Sequence, residues 1–266
     1  MILFLFLTHL GLGIVFTLVF VSRDAGVKFF RFNAGLATIL IAVAFLFRSP
    51  NSETVFGTVA IRALVVCEAA IVLYWATIGR ALARIRPAIV GLACGSGLVA
   101  VVAQAIETAS AGAAATAATQ ALTIASFLSS SVLLGGACTA MILGHWYLVI
   151  PSLQVTHLQS IVKLHMASMV VRIAVVTAAV IFAIATWQPG LGPSFRHYIL
   201  SVSGIFFWQR VLFGLGGPAL LSYLTWETAK IRSTQSATGI LYVDFFTVVV
   251  GEVLAKYLLL ATNVPV

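Results

Sequence analysis

The feature that most constrains this chain is a succession of apolar runs, each near twenty residues long, separated by short loops that hold much of its charge. A helix needs roughly 20 apolar residues to cross the hydrocarbon core of a bilayer. The runs fall at 2–21, 32–47, 55–78, 87–107, from 117–125 to 150, then 162–187, 198–221 and 240–261. They predict an all-α integral membrane protein, a bundle of about eight transmembrane helices with short loops. Composition agrees, since 8% of residues are charged where a soluble domain carries about 25%. The whole chain, 1–266, reads as one polytopic domain, with at most a weak four-plus-four repeat of halves 1–115 and 116–266.

The formal charge of +8 and pI near 9.9 would suggest nucleic acid in a soluble protein. Here Arg23, Lys28, Arg31, Arg80, Arg84, Arg86, Lys163, Lys230 and Arg232 fall on one side of an alternating topology, and Arg48 and Arg196 on the other. Under the positive-inside rule the larger group is cytoplasmic, so both termini are expected on the outer side. The expected partner is a lipid bilayer, that of a bacterial inner membrane, and no nucleic acid. Met1 to Phe4 lack a basic n-region, so the first run is expected to stay as a helix. Cys67, Cys94 and Cys138 lie inside apolar runs without metal-type spacing and read as small buried side chains.

No phosphate loop, dinucleotide fingerprint, zinc-protease helix or nucleophile elbow is present, which leaves enzymatic activity undecided. The chemistry must come from ionisable residues within the spans, which are expensive there and functional candidates by default. The stretch 144–165 concentrates them, with His145, Trp146, Tyr147, Pro151, His157 and His165. In an eight-span arrangement His145 and His165 sit at similar depth on neighbouring helices, as a bis-histidine b-type haem iron requires. Gly136, Ala140 and Gly144, one turn apart, would admit either a macrocycle or an adjacent helix. Lys163 and Arg172 would neutralise propionates, and His157 would be solvated in the loop. His9 and His197 form a weaker outer pair. The bland reading is that all of these are interfacial or helix-packing histidines.

Arg62, Arg172 and Arg210 compete for Glu68, Asp244 and Glu252, and Glu252 and Lys256 are spaced to pair on one helix. Such pairs hold a bundle together, line a proton path, or anchor a propionate or quinone carbonyl. His9, followed by Gly11 and Gly13 and then Arg23, resembles the first span of small multi-span haem-associated and copper-resistance membrane proteins over about forty residues. No site residue follows from that likeness.

The expected function is a membrane subunit of a respiratory-type electron-transfer complex, binding haem b or a quinone and working with membrane or peripheral redox subunits. One alternative is a small-solute or proton transporter using the buried Arg, Glu and Asp residues. Another is a structural subunit packing through faces such as Gly91-x-x-x-Gly95.

Overall fold

With no water to take their hydrogen bonds, apolar runs in a bilayer must close their backbone ladders internally. The computed structural model, which describes residues 1–48, 54–111, 116–150, 153–188 and 194–266, is accordingly helical, with no strand among those residues. The expected turns at Pro50, Pro151 and 189–193, and residues 112–115 of the Ala/Thr tract, lie outside the described residues.

Six continuous helices come first: α1 Ile2–Leu18, α2 Gly26–Leu46, α3 Val55–Thr77, α4 Arg86–Ser110, α5 Ala117–Val149 and α6 Val155–Ala185. The expected seventh span is interrupted. It comprises α7 Phe195–Leu200, α8 Ile205–Val211, a π-helical segment Leu212–Gly216, and α9 Gly217–Lys230; α10 Thr234–Thr262 follows. Among the described residues seven helical runs are long and apolar enough to cross a membrane, with 202–230 counted as one, while α1 is shorter at 17 residues.

Local signals set several boundaries. Thr116 and Thr119 form a capping box that starts α5, so the tract from Ala117 onward is helix and not linker. Pro87 occupies the first turn of α4, where its missing N–H costs nothing. Sequence places three starts too late: α2, α6 and α10 begin at Gly26, Val155 and Thr234, against the expected 32, 162 and 240. Their opening turns carry Lys28 and Arg31, Thr156 and Gln159, or Gln235 and Ser236. Such residues interrupt an apolar run without interrupting a helix that protrudes from the hydrocarbon.

α5 is the axis of the bundle. It packs on α1, α4, α6 and α10, and 83% of its most apolar stretch is buried against 28% for α6. Small side chains permit this, because without a hydrophobic drive between helices in lipid, close backbone approach supplies the attraction. Gly13 of α1 and Gly135 of α5 touch backbone to backbone, and a Cβ on either would collide with the other helix. One turn beyond, the hydroxyls of Thr17 and Thr139 share a buried hydrogen bond of 2.8 Å.

The basic loops gather at one end, where polar contacts tie the helix termini together. Arg31 donates to the Ile78 carbonyl, Trp146 Nε1 to the Ala25 carbonyl at 3.2 Å, and Gln159 to the Ala229 carbonyl at 3.3 Å. His157 lies in the first turn of α6, 3.1 Å from Asp24, and not in a solvated loop. Lys163 and Lys230 sit over the Trp226 ring at 4.9 and 5.2 Å.

Gly135→Val should therefore force α1 and α5 apart and destabilise the protein by at least about 1–3 kcal/mol, the usual cost of overpacking. Gly91→Ala, where an added Cβ meets nothing within 4 Å, should stay within about 0.5 kcal/mol of wild type. Thermal unfolding in detergent micelles compares the two.

Candidate functional site

A charge in the bilayer interior persists only if it is paired or faces a polar interior. Four helices, α1, α6, α8 and α10, therefore turn ionisable residues inward. On α10, Asp244, Glu252 and Lys256 are eight and four residues apart and share one face; on α6, His165 and Arg172 are seven apart and share another. Ser126, Ser129 and Ser130 line the facing side of α5, His9 comes from α1, and Arg210 from α8. All of these side chains are buried.

Glu252 is the hub. Arg172 grips its carboxylate with two donors, Nε to Oε1 at 2.9 Å and Nη2 to Oε2 at 3.1 Å. Arg210 Nη2 donates to Oε1 at 2.8 Å, Ser130 Oγ donates to Oε2 at 2.6 Å, and Lys256 Nζ stands 3.7 Å from Oε2. Lys256 donates at 2.8 Å to Ser130 Oγ and lies 5.1 Å from the centre of the Phe127 ring. His9 closes the group, with Nδ1 3.5 Å from Ser130 Oγ and its ring edge-on to Phe127.

The two arginines differ in what they have left. Arg172 spends its remaining donors on the Ser126 carbonyl and hydroxyl, the Ser129 hydroxyl and the main-chain oxygen of Val266. Arg210, 0% exposed, has no partner among the described residues for Nε and Nη1. Its guanidinium lies against Gly214 and Gly251, whose backbones are themselves in contact, so neither position has room for a side chain. This contact falls in the π-helical segment. Pro218 has no N–H to give back to the preceding turn, and π-turns of this kind recur at functional sites.

A second polar level lies two turns nearer the basic end. His165 Nε2 and Asp244 Oδ2 approach to 2.7 Å with both side chains 0% exposed. The approach is close but not an aligned hydrogen bond, and no polar atom among the described residues is hydrogen-bonded to either side chain.

The histidines paired in the sequence are not brought together. α6 starts at Val155, so His165 lies ten residues into its helix, whereas His145 lies four residues before the end of α5. At 1.5 Å per residue they differ in depth by about 9 Å. His145 is exposed and its Nδ1 lies 3.1 Å from the Tyr242 hydroxyl, while His165 meets Asp244. Tyr242 and Asp244, two residues apart, lie on opposite faces of α10.

The small-residue stripe takes neighbouring helices. Gly136 lies against His165, Gly144 against Thr238 and Leu241 of α10, and Ala140 is fully buried. His197 is exposed on α7, far in environment from buried His9. Arg62 is exposed and Glu68 half-buried on α3, apart from the cluster. Among the described residues no three His, Cys, Asp or Glu side chains are placed to hold a metal ion. A cavity of about 650 Å³ between α1, α2, α3 and α4, lined by Leu18, Phe30, Ile71 and Tyr74, shares no residue with the cluster.

Sequence reasoning paired Arg172 and Arg210 with the acids but missed the part of the serines. The available signal was the i, i+3, i+4 spacing of Ser126, Ser129 and Ser130 inside an apolar run.

Glu252→Gln should cost about 3–5 kcal/mol, because it strands two buried guanidinium groups. Lys256→Met should cost much less, since Glu252 keeps both. Denaturation of the purified variants in detergent measures the difference.

Compared with known protein families, characterised proteins and solved structures, the chain matches none.

Proposed function

We propose that this protein is a membrane transporter for a small anion, with Arg210 as the residue that binds it. The observation that carries the reading is the charge balance around Glu252. Three basic side chains, Arg172, Arg210 and Lys256, surround one carboxylate side chain, and two nitrogens of the fully buried Arg210 have no partner among the described residues. Surplus positive charge inside a bilayer is costly unless an anion joins it.

The position of Arg210 supports the same reading. Transporter sites form where a spanning helix is broken by Gly and Pro. Arg210 lies two residues before such a break, Leu212–Gly216, and the Gly214–Gly251 contact closes over its guanidinium. Parting that contact, with the π-turn absorbing the shift, exposes Nε and Nη1 to a solute.

The remainder of the proposal is topological. Counting α1 gives eight crossings with both termini outside, in the inner membrane of a bacterium, because the basic end is then cytoplasmic. This reading takes precedence over an electron carrier because the imidazoles expected to share a haem iron lie at different depths and face different partners.

Purified protein in liposomes should exchange at least one of radiolabelled chloride, formate and inorganic phosphate. Arg210→Gln should weaken binding about 10- to 100-fold, as expected for a lost charge-assisted hydrogen bond; Arg210→Lys should fall between. Absence of exchange for all three probes would sink the proposal. A Soret band lost in His145→Ala or His165→Ala would establish the haem reading instead.

Topology is checked separately with single cysteines on a background lacking Cys67, Cys94 and Cys138. A reagent added from outside should label Arg196→Cys and spare Ala83→Cys; the opposite pattern reverses the orientation.

A further inference from the structure

His165 and Asp244 take no part in the contacts that hold Glu252. Enclosed together at 2.7 Å, they form a site with one missing charge. With a neutral imidazole and an ionised carboxylate the pair carries −1, in surroundings that offer Asp244 no other donor among the described residues. One proton beyond the imidazole's own brings the pair to zero, as imidazolium with carboxylate or as imidazole with carboxylic acid.

Helical register links this pair to the anion site. α6 and α10 run parallel, and the pairs His165–Asp244 and Arg172–Glu252 recur seven and eight residues apart on them. The two levels are therefore separated by about 11 Å along the helices. Buried Ser168, donating to the His165 carbonyl at 2.7 Å, lies on α6 between them, and Val248 on α10.

None of the other titratable groups on the surrounding elements is hydrogen-bonded to the pair among the described residues. His9 of α1, Arg210 of α8, and Glu252 and Lys256 of α10 belong to the Glu252 cluster. On α5, His145 meets Tyr242 of α10, Tyr147 bonds to Gln154 and Leu158, and Cys138 is a buried thiol. At the basic end Lys163 of α6 covers Trp226, and on α9 Glu227 pairs with Lys230 while Tyr223 is exposed.

We propose that His165 and Asp244 form a proton site that takes up one proton when the cluster at Arg210 holds an anion, so that the two move together. The proposal rests on the transporter reading above. The physical link is charge: an interaction between unit charges about 11 Å apart, at an effective dielectric near 20, changes a binding constant about tenfold. The anion adds −1 at one level, the proton adds +1 at the other, and the loaded protein has the same net charge as the empty one.

Two measurements on liposomes holding the full chain separate anion binding from proton coupling. Exchange of radiolabelled formate, chloride or phosphate needs the anion site alone, whereas accumulation driven by a pH gradient needs the proton site too. Asp244→Asn and His165→Gln keep polar side chains of similar shape. Each should retain exchange within about threefold of wild type and lose gradient-driven accumulation. If Asp244→Asn accumulates anion as wild type does, the proton site is wrong while the transporter reading stands. If wild type exchanges none of the three anions, the transporter reading fails. In that case, or if the variants lose exchange as well, acid–base titration of the purified proteins decides: wild type should bind one proton more than the His165→Gln/Asp244→Asn double variant over the pH range in which both stay folded. Equal uptake overturns the proposal.

Discussion

The carboxylate of Glu252 is the contact on which the second half of the bundle depends. It receives donors from α5, α6 and α8 while belonging to α10, so one side chain fixes the mutual depth and rotation of four elements. Apolar packing alone does this poorly in lipid, because a helix face of leucine or valine gains little by exchanging lipid tails for protein. A buried carboxylate, by contrast, tolerates few arrangements. Each partner must arrive at hydrogen-bond distance, and loss of the carboxylate leaves two buried guanidinium groups uncompensated.

The same economy shapes the first half. α1 is the shortest of the long apolar helices and among the most enclosed, held against α5 by the Gly13–Gly135 contact and the Thr17–Thr139 hydrogen bond. Its closeness brings His9 to Ser130, so α1 reaches the charged cluster through the central helix. Packing and chemistry thus share one set of residues. The small side chains that let helices approach α5 are the serines and glycines that also hold or border the polar groups.

A polar core of this kind limits how the molecule can move. Arg172, with its donors all engaged, behaves as a fixed strut, whereas Arg210 is held to Glu252 by one nitrogen and lies against Gly214 of the π-turn and Gly251 of α10. Interrupted backbone at membrane depth is tolerated only where protein or a polar cavity surrounds it. Motion centred on the interrupted stretch 195–230 would therefore change Arg210 first and leave the Arg172–Glu252 strut in place, the asymmetry that the proposed transport requires.

Much of the architecture was determined by sequence alone, because hydropathy and loop charge are local properties. The helical class, the membrane character, the long α5 and the inward-facing Arg172, Arg210 and Glu252 could all be read from runs of residues and from the cost of charge in lipid. Helix starts were legible only approximately, since Thr156, His157 and Gln159 look like loop in a hydropathy profile yet continue α6 beyond the hydrocarbon. That displacement changed the depth assigned to His165, and with it the partner. Which acid each base meets was left to the tertiary structure. His165 faces Asp244 and not His145, and Arg172 and Arg210 converge on one carboxylate, because partner choice depends on how far each helix is rotated about its own axis. That rotation is set by contacts between residues more than forty positions apart, such as Arg210 with Glu252 and Gly13 with Gly135, which no local pattern encodes.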